Sequence, residues 1–281
     1  MLPATALPED PAANRDAWFA RRCAVIPAAP VPLRELLRVM GAGNGEPVPE
    51  APFTIPVWRV RSGAALLHEG AAPDAVHVVR SGTFKCLKTS EDGYEQVLAF
   101  AGQGEVLGFE ATWRGQQLTS AVALEESTVC SLPLRELDAW RQLSPALDHA
   151  LQFALSRQLA RAGEIAEMMA AVAAEVRLAR FLVWLSGCMA GQGQSPRRLH
   201  LRMSRRDIAS LLAVAHETVS RSFSTLVDWG LLRVDNREVE ILDPAGLRAC
   251  TRNTRGLPDD LPRGVAPGRH RAAPRLNVLA A

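Results

Sequence analysis

Two groups of side chains in this 281-residue chain are of types that do chemistry. The first is a set of five cysteines, Cys23, Cys86, Cys130, Cys188 and Cys250. Thiolates ligate soft metals and iron–sulfur clusters, and they switch by oxidation. The second is the run Glu217-x-x-Ser220-Arg221, flanked by His216 and Thr218. A guanidinium fork matches guanine O6 and N7, and a carboxylate can accept from a cytosine N4 amino group. Hydroxyl and imidazole groups next to them can reach phosphates.

The cysteines are odd in number and scattered, and they never form C-x-x-C. That pattern argues against a disulfide framework and against a zinc ribbon. Cys130, in "ESTVCSLP", is a candidate core filler, thiol switch or metal ligand. A switch through Cys23, Cys86 or Cys130 would need access and a depressed pKa.

The second group needs a scaffold that holds it outward, and the surrounding residues supply one. "MSRRDIASLLAVAHETVSRSFSTLVDWGLL" (Met203–Leu232) reads as two helices and a tight turn. Ser204 is an N-cap candidate, with Asp207 in the capping-box position. Ile208, Leu211 and Leu212 form one apolar face. Ala213-Val214-Ala215 makes the turn, and small Ala209 opposite Val219 lets the helices cross closely. The second helix starts near His216 and turns Val219, Phe223, Leu226 and Val227 inward. This spacing is that of a helix-turn-helix. Glu217, Ser220 and Arg221 then face out to read bases, while Ser204, Arg205, His216 and Thr218 touch phosphates. "LLRVDNREVEIL" (Leu231–Leu242) reads as two strands around Asp235-Asn236, a wing.

Upstream elements must carry this reader. From Val57 to about Leu132 short apolar runs alternate with glycines, which suggests a β-barrel or jelly roll. "SEDGYE" is expected to form a type I′ hairpin tip at Asp92-Gly93. Ser144 and Pro145 suit the N-cap and first turn of a long helix. Along it Leu151, Leu155, Gln158, Ala162, Ile165, Met169, Val172 and Val176 recur at 4-3-4-3 spacing, a coiled-coil seam between two copies. A second amphipathic helix follows over Glu175–Met189. Before the roll, Pro32–Met40 is a short helix in a Pro/Ala-rich arm. The expected fold class is α+β, divided into an arm (1–56), a sensor roll (57–143), a dimerisation helix (144–174), a winged helix-turn-helix (175–250) and a tail (251–281). The tail, with seven arginines from Arg248 to Arg275 and four prolines, is expected to be disordered. It either adds phosphate contacts or is inert.

Composition removes other classes. Hydrophobic residues make up 48% of the chain, enough for a full core. No run of 18 apolar residues appears, so no membrane partner is expected, and the first residues lack a secretory apolar segment. The expected location is the cytoplasm. G-x-S-x-G, P-loop, H-E-x-x-H and paired-carboxylate motifs are all missing, so an enzyme is not expected. Net charge is +2, and Lys85 and Lys88 are the only lysines among 32 basic residues.

The quoted reader, together with "RSGTFKCLKTSEDGYEQVLAFAGQGEVLGFEA" and "ALEESTVCSLP", resembles the Crp/Fnr family of bacterial transcription regulators over about residues 20–250, nearest its Fnr branch. The resemblance implies a homodimer on double-stranded DNA, TTGAT-like half-sites read by Glu217, Ser220 and Arg221, and contact with RNA polymerase through the loop "TSEDGYEQ" (89–96). Ala213 departs from the usual turn glycine, at a cost of about 1 kcal/mol. Cyclic-AMP binders of the family carry an arginine where Leu118 or Thr119 stands here. Without an inward guanidinium a buried cyclic phosphate has no bidentate partner. The Fnr branch holds a [4Fe–4S] cluster with four thiolates, three of them near the N-terminus. Here Cys130 matches the roll cysteine, but only Cys23 precedes it. No cofactor is therefore expected. The alternatives that stay open are a haem site drawing on Met1, His68, His77 or His149, a thiol-based sensor for redox state or nitric oxide, and a small-molecule module whose DNA binding has decayed.

Overall fold

A computed structural model describes residues 25–42 and 51–252. The chain opens with strand β1 (Val25–Pro32) and helix α1 (Leu33–Met40). Strands β2 (Thr54–Val60), β3 (Ala65–Leu67), β4 (Ala75–Ser81), β5 (Phe84–Thr89), β6 (Glu95–Ala101) and β7 (Val106–Leu107) follow. Next come α2 (Ala111–Arg114), β8 (Ser120–Ala123) and β9 (Ser127–Pro133). Two sheets result, a five-stranded one in the order β1-β2-β9-β4-β7 and a four-stranded one in the order β3-β8-β5-β6.

The roll is closed by side chains that alternate along these strands. Val60, Leu66, Val79, Phe84, Ala121 and Val129 fill the space between the sheets. The other face of the large sheet presents Ile55, Val57, Val76, Val78, Cys130 and Leu132 to helices. The large sheet is thus covered on both sides, which is why β4 reads as a nearly unbroken apolar run. At the tip of the β5–β6 hairpin Gly93 alone takes positive φ, at 82°. A type I′ turn needs it at Asp92 as well, so the expected turn type is corrected. Ser90 O instead accepts from Gly93 N–H at 2.9 Å.

Two elements exceed the sequence reading. β1 pairs antiparallel with β2 inside what reads as an arm. Helix α3 (Leu134–Leu143) follows β9 directly and packs Leu137 and Trp140 against the large sheet.

The long helix α4 (Pro145–Ala170) begins as expected, with the Ser144 side chain accepting from Leu147 N–H. It ends earlier than expected. Ala171 and Ala173 are extended, with ψ near 140° and 133°, and a new helix α5 runs over Ala174–Gly191. The 4-3-4-3 seam is corrected accordingly. Leu151 is buried under α1 and α3, Ile165 packs on the C-terminal core, and Val176 lies inside that core. Val172 falls in the break and is exposed, as is Gln158. Leu155, Ala162 and Met169 do face outward, joined by Leu159 and Ala166, and Leu159 is 77% exposed.

The C-terminal unit contains β10 (Arg198–His200), α6 (Arg205–Leu211), α7 (His216–Asp228), β11 (Leu232–Asp235), β12 (Glu238–Ile241) and α8 (Pro244–Cys250). Its core joins Ile208, Leu211, Val219, Phe223 and Leu226 to Phe181 and Leu182 of α5. The wing has a third strand, since β10 pairs with β12 beside the expected hairpin.

Candidate nucleic-acid interface

Local chemistry builds the two helices of the reader. Ser204 accepts from Asp207 N–H at 3.1 Å, and Asp207 accepts from Ser204 N–H at 2.9 Å, a complete capping box. Ala213 takes φ 51° in the turn, as its place in the motif requires. Ser222 is fully buried on the inner face of α7 with Val219, Phe223 and Leu226.

The outer face of α7 carries Glu217, Ser220, Arg221 and Ser224, all exposed, with His216 exposed at its first turn. Arg221 Nη2 donates to Thr218 Oγ1 at 3.4 Å, which leans its guanidinium along the helix toward its N-terminus. The Ser220 hydroxyl donates to His216 O at 3.3 Å. Beside this face lies a hollow lined by Ser204, Arg205, Arg206, His216, Asn236 and Arg237. Arg205 stacks its guanidinium over the Phe223 ring, 3.4 Å from the centroid, and donates to Asn236 O at 3.1 Å. Burial lowers its pKa to about 10, which leaves it charged at neutral pH. Its Nη1 is buried without a hydrogen-bond partner among the described residues. That nitrogen is closed to solvent, and the cations Arg206 and Arg237 line the same hollow, which suits an anionic oxygen.

Of the expected phosphate set the hollow gathers Ser204, Arg205 and His216, with the Ser204 hydroxyl already engaged in capping α6, whereas Thr218 is not among its lining residues and accepts from Arg221 instead. Arg206, Asn236 and Arg237 line the same hollow and were missed. The Arg205-Arg206 pair and the wing-tip position of Arg237 were the available signals.

The roll looks different. Between it and α4–α5 lies a cavity of about 560 Å³ lined by Cys86, Gln103, Glu105, Arg157, Arg161 and Trp184, among others. Two guanidinium groups therefore enter the roll's margin from α4, where the sequence reading found none. Arg157 Nη2 donates to Gly104 O at 2.9 Å. Arg161 is ion-paired with Glu105 and lies 4.4 Å from the Trp184 ring centroid. Both arginines already have partners within the chain.

The cysteines fit neither a cluster nor a reactive switch among the described residues. Cys130 is completely buried on the helix-facing side of β9, and burial pushes its pKa up to about 11. Cys86 is pushed up to about 12 by burial and by Glu110, against Arg161. Cys250 is raised to about 11 by burial. Thiols held this high have little thiolate at neutral pH. This corrects the redox expectation for Cys130, and Cys23 lies outside the described residues. No group of three or more His, Cys, Asp or Glu side chains among the described residues is placed to hold a metal ion. A four-iron cluster needs four thiolates, and the described cysteines do not converge on one.

The haem candidates are not brought together either. His68 and His149 are exposed, whereas His77 is 3% exposed inside the roll. His77 Nδ1 lies 2.7 Å from Ser131 Oγ, and burial lowers the pKa of its imidazole to about 4. Met1 lies outside the described residues.

A nucleotide-binding-type roll, a long connecting helix and a winged helix-turn-helix with an open basic face define a DNA-binding transcription regulator of the Crp type. Two family models agree. The cyclic nucleotide-binding domain matches residues 57–142, and the Crp-like helix-turn-helix domain matches residues 176–250. The chain belongs to the Crp/Fnr family. It is 36% identical over 190 residues to the transcriptional regulatory protein btr of Bordetella pertussis, covering 68% of this chain and 78% of that one. It is 31% identical over 198 residues to the fumarate and nitrate reduction regulatory protein of Salmonella typhimurium, covering 70% and 79%. Among solved structures, FixK2 from Bradyrhizobium japonicum aligns with a TM-score of 0.62 at 24% identity, covering 70% of this chain and 97% of that one, a likeness of fold. The relatives are transcription regulators, not enzymes. No helix of the described residues is long and apolar enough to cross a membrane.

Proposed function

We propose that the chain acts in the cytoplasm as a homodimeric transcription activator that reads a TTGAT-like palindrome, without cyclic AMP and without a [4Fe–4S] cluster. The observation that carries this reading is the joint exposure of Glu217, Ser220 and Arg221 on α7 beside the arginine-lined hollow. Arg221 reads guanine, and Glu217 accepts from cytosine. Arg205 and His216, which line the hollow, hold the phosphates that set the register. The outward stripe Leu155, Leu159, Ala162, Ala166 and Met169 keeps 4-3-4-3 spacing and pairs with the same stripe of a second copy. Pairing sets two recognition helices about 34 Å apart, one turn of DNA. Ser90–Glu95, exposed at the β5–β6 tip, is the contact offered to RNA polymerase.

Independence from cyclic AMP rests on Arg157 and Arg161, whose guanidinium groups are engaged by Gly104 O, Glu105 and Trp184. A ligand phosphate would have to displace these partners.

Half-site spacing tests the reading. The protein should bind TTGAT-N4-ATCAA and lose at least about a hundredfold in affinity when five base pairs, roughly half a helical turn, are added to the spacer. Equal affinity for both spacings would show independent monomers and remove the dimer from the proposal.

A further inference from the structure

Ser210 is an unusual residue for its place. It sits inside α6, where serine is a mediocre helix former, and it is only 8% exposed. A buried hydroxyl needs partners, and the helix-turn-helix does not supply them. The roll does. Ser210 Oγ accepts from Val97 N–H at 2.8 Å and donates to Glu95 O at 3.1 Å. The Tyr94 hydroxyl lies 3.5 Å from the same oxygen, and Gln96 Nε2 donates to Ser210 O.

These partners belong to one feature. β6 is an edge strand of the four-stranded sheet, so its outer backbone groups have no neighbouring strand. Ser210 answers one N–H and one C=O of that edge. Ion pairs flank the contact. Lys85 Nζ on β5 lies 2.9 Å from Asp207 Oδ1, with both side chains largely buried, and Arg202 Nε lies 3.2 Å from Glu125 Oε2. Burial works against the Asp207 carboxylate, but bonds from Ser204 and Lys85 outweigh it and hold its pKa below the ordinary value. Asp207 thus caps α6 and anchors it to the roll at once.

We infer that Ser210, Lys85 and Asp207 form a latch that fixes the reader on the edge strand of the roll in the orientation that binds DNA. Ser210 and Asp207 turn toward β5–β6, whereas Glu217, Ser220 and Arg221 stay exposed. The docked pose leaves the reading face open while removing its rotational freedom. An undocked reader is competent for only a fraction of the time, and its apparent affinity falls by that fraction. Ser210 and Lys85 are positioning residues in this scheme, and strand β6 is the route by which a change in the roll reaches α7.

This inference rests on the DNA-binding reading, and its test separates the two. In the full chain, Ser210→Ala should speed amide exchange at Val97 by about tenfold or more and leave core amides such as Val78 unchanged. Affinity for the TTGAT palindrome should fall about tenfold at fixed salt. Lys85→Met should weaken binding in the same direction, and Ser210→Thr, which keeps the hydroxyl, should restore both readouts. Unchanged Val97 exchange in Ser210→Ala overturns the latch. So does faster exchange with unchanged or tighter DNA binding. Wild-type protein that ignores the palindrome overturns the DNA reading instead, and Val97 exchange then judges the latch alone.

Discussion

The reader exposes the polar groups of its outer face, whereas the roll buries its own. On α7, Glu217, Ser220 and Arg221 stand in solvent. In the roll, Arg80 is bonded to Glu35 at 2.6 Å, Arg161 is paired with Glu105 and His77 Nδ1 lies 2.7 Å from Ser131 Oγ, while His77 Nε2, Gln117 Oε1 and Arg161 Nε are buried without a partner among the described residues. Polar groups left open await a partner. Polar groups closed on each other hold a shape, and a ligand must first displace something. The proposed function uses this difference, with recognition on the exposed face of α7 and the roll as a frame whose charged groups are mostly paired within the chain.

The largest expected effect tests the closed character of the roll. His77 is buried and its pKa is lowered to about 4 from an ordinary 6.5, so the unfolded chain binds the extra proton between those values. Stability should therefore fall as pH drops from 6.5 toward 4, by about 3 kcal/mol as an upper figure. Urea unfolding at pH 7 and pH 4.5 would show it, and His77→Gln should flatten that part of the slope. A pH-independent difference between the two proteins would mean that His77 is open to solvent.

Next in size is the open character of the reader. Arg221→Ala should cost about 2 kcal/mol, or roughly thirtyfold, on the palindrome and little on unrelated DNA. Competition titration checks this. Equal losses on both DNAs would reduce Arg221 to a phosphate contact and blur the contrast.

A smaller effect is expected at the junction. Arg177 Nε donates to Ala171 O at 2.7 Å, and its Nη1 donates to Leu212 O at 2.8 Å. Arg177→Ala should destabilise the C-terminal unit by about 1.5 kcal/mol in thermal unfolding.

The same residue explains what the sequence conceals. "AAVAA" at the end of α4 contains neither Gly nor Pro. The break forms because Arg177, and Arg180 at Glu167 O, come back from the next helix to satisfy carbonyls that the helix leaves unpaired. A periodicity read along one helix cannot register donors from another, so the seam ran on to Val172 and Val176. Leu151 misled for a related reason, being apolar toward its own α1 and α3. β1 holds Pro27, Pro30 and Pro32, which argue against a strand except at an edge, and it is an edge. The reader was legible because its signals are local. Ser204 and Asp207 are three residues apart, Ala213 marks the turn, and Glu217 to Arg221 fall on one face. The hollow was half legible, since Asn236 and Arg237 reach it only once the wing folds back.

The smallest expected effect is on the wing. Arg233 pairs with Glu240 at 2.6 Å on an exposed strand, and Arg233→Ala should change stability by less than about 0.5 kcal/mol.

Whether the open face of α7 reads sequence is decided by the wild-type affinity for TTGAT-N4-ATCAA against a scrambled duplex of the same composition near physiological salt. Binding to the palindrome should be nanomolar, on the order of a thousandfold tighter than to the scrambled duplex. Equal affinity for the two would contradict it.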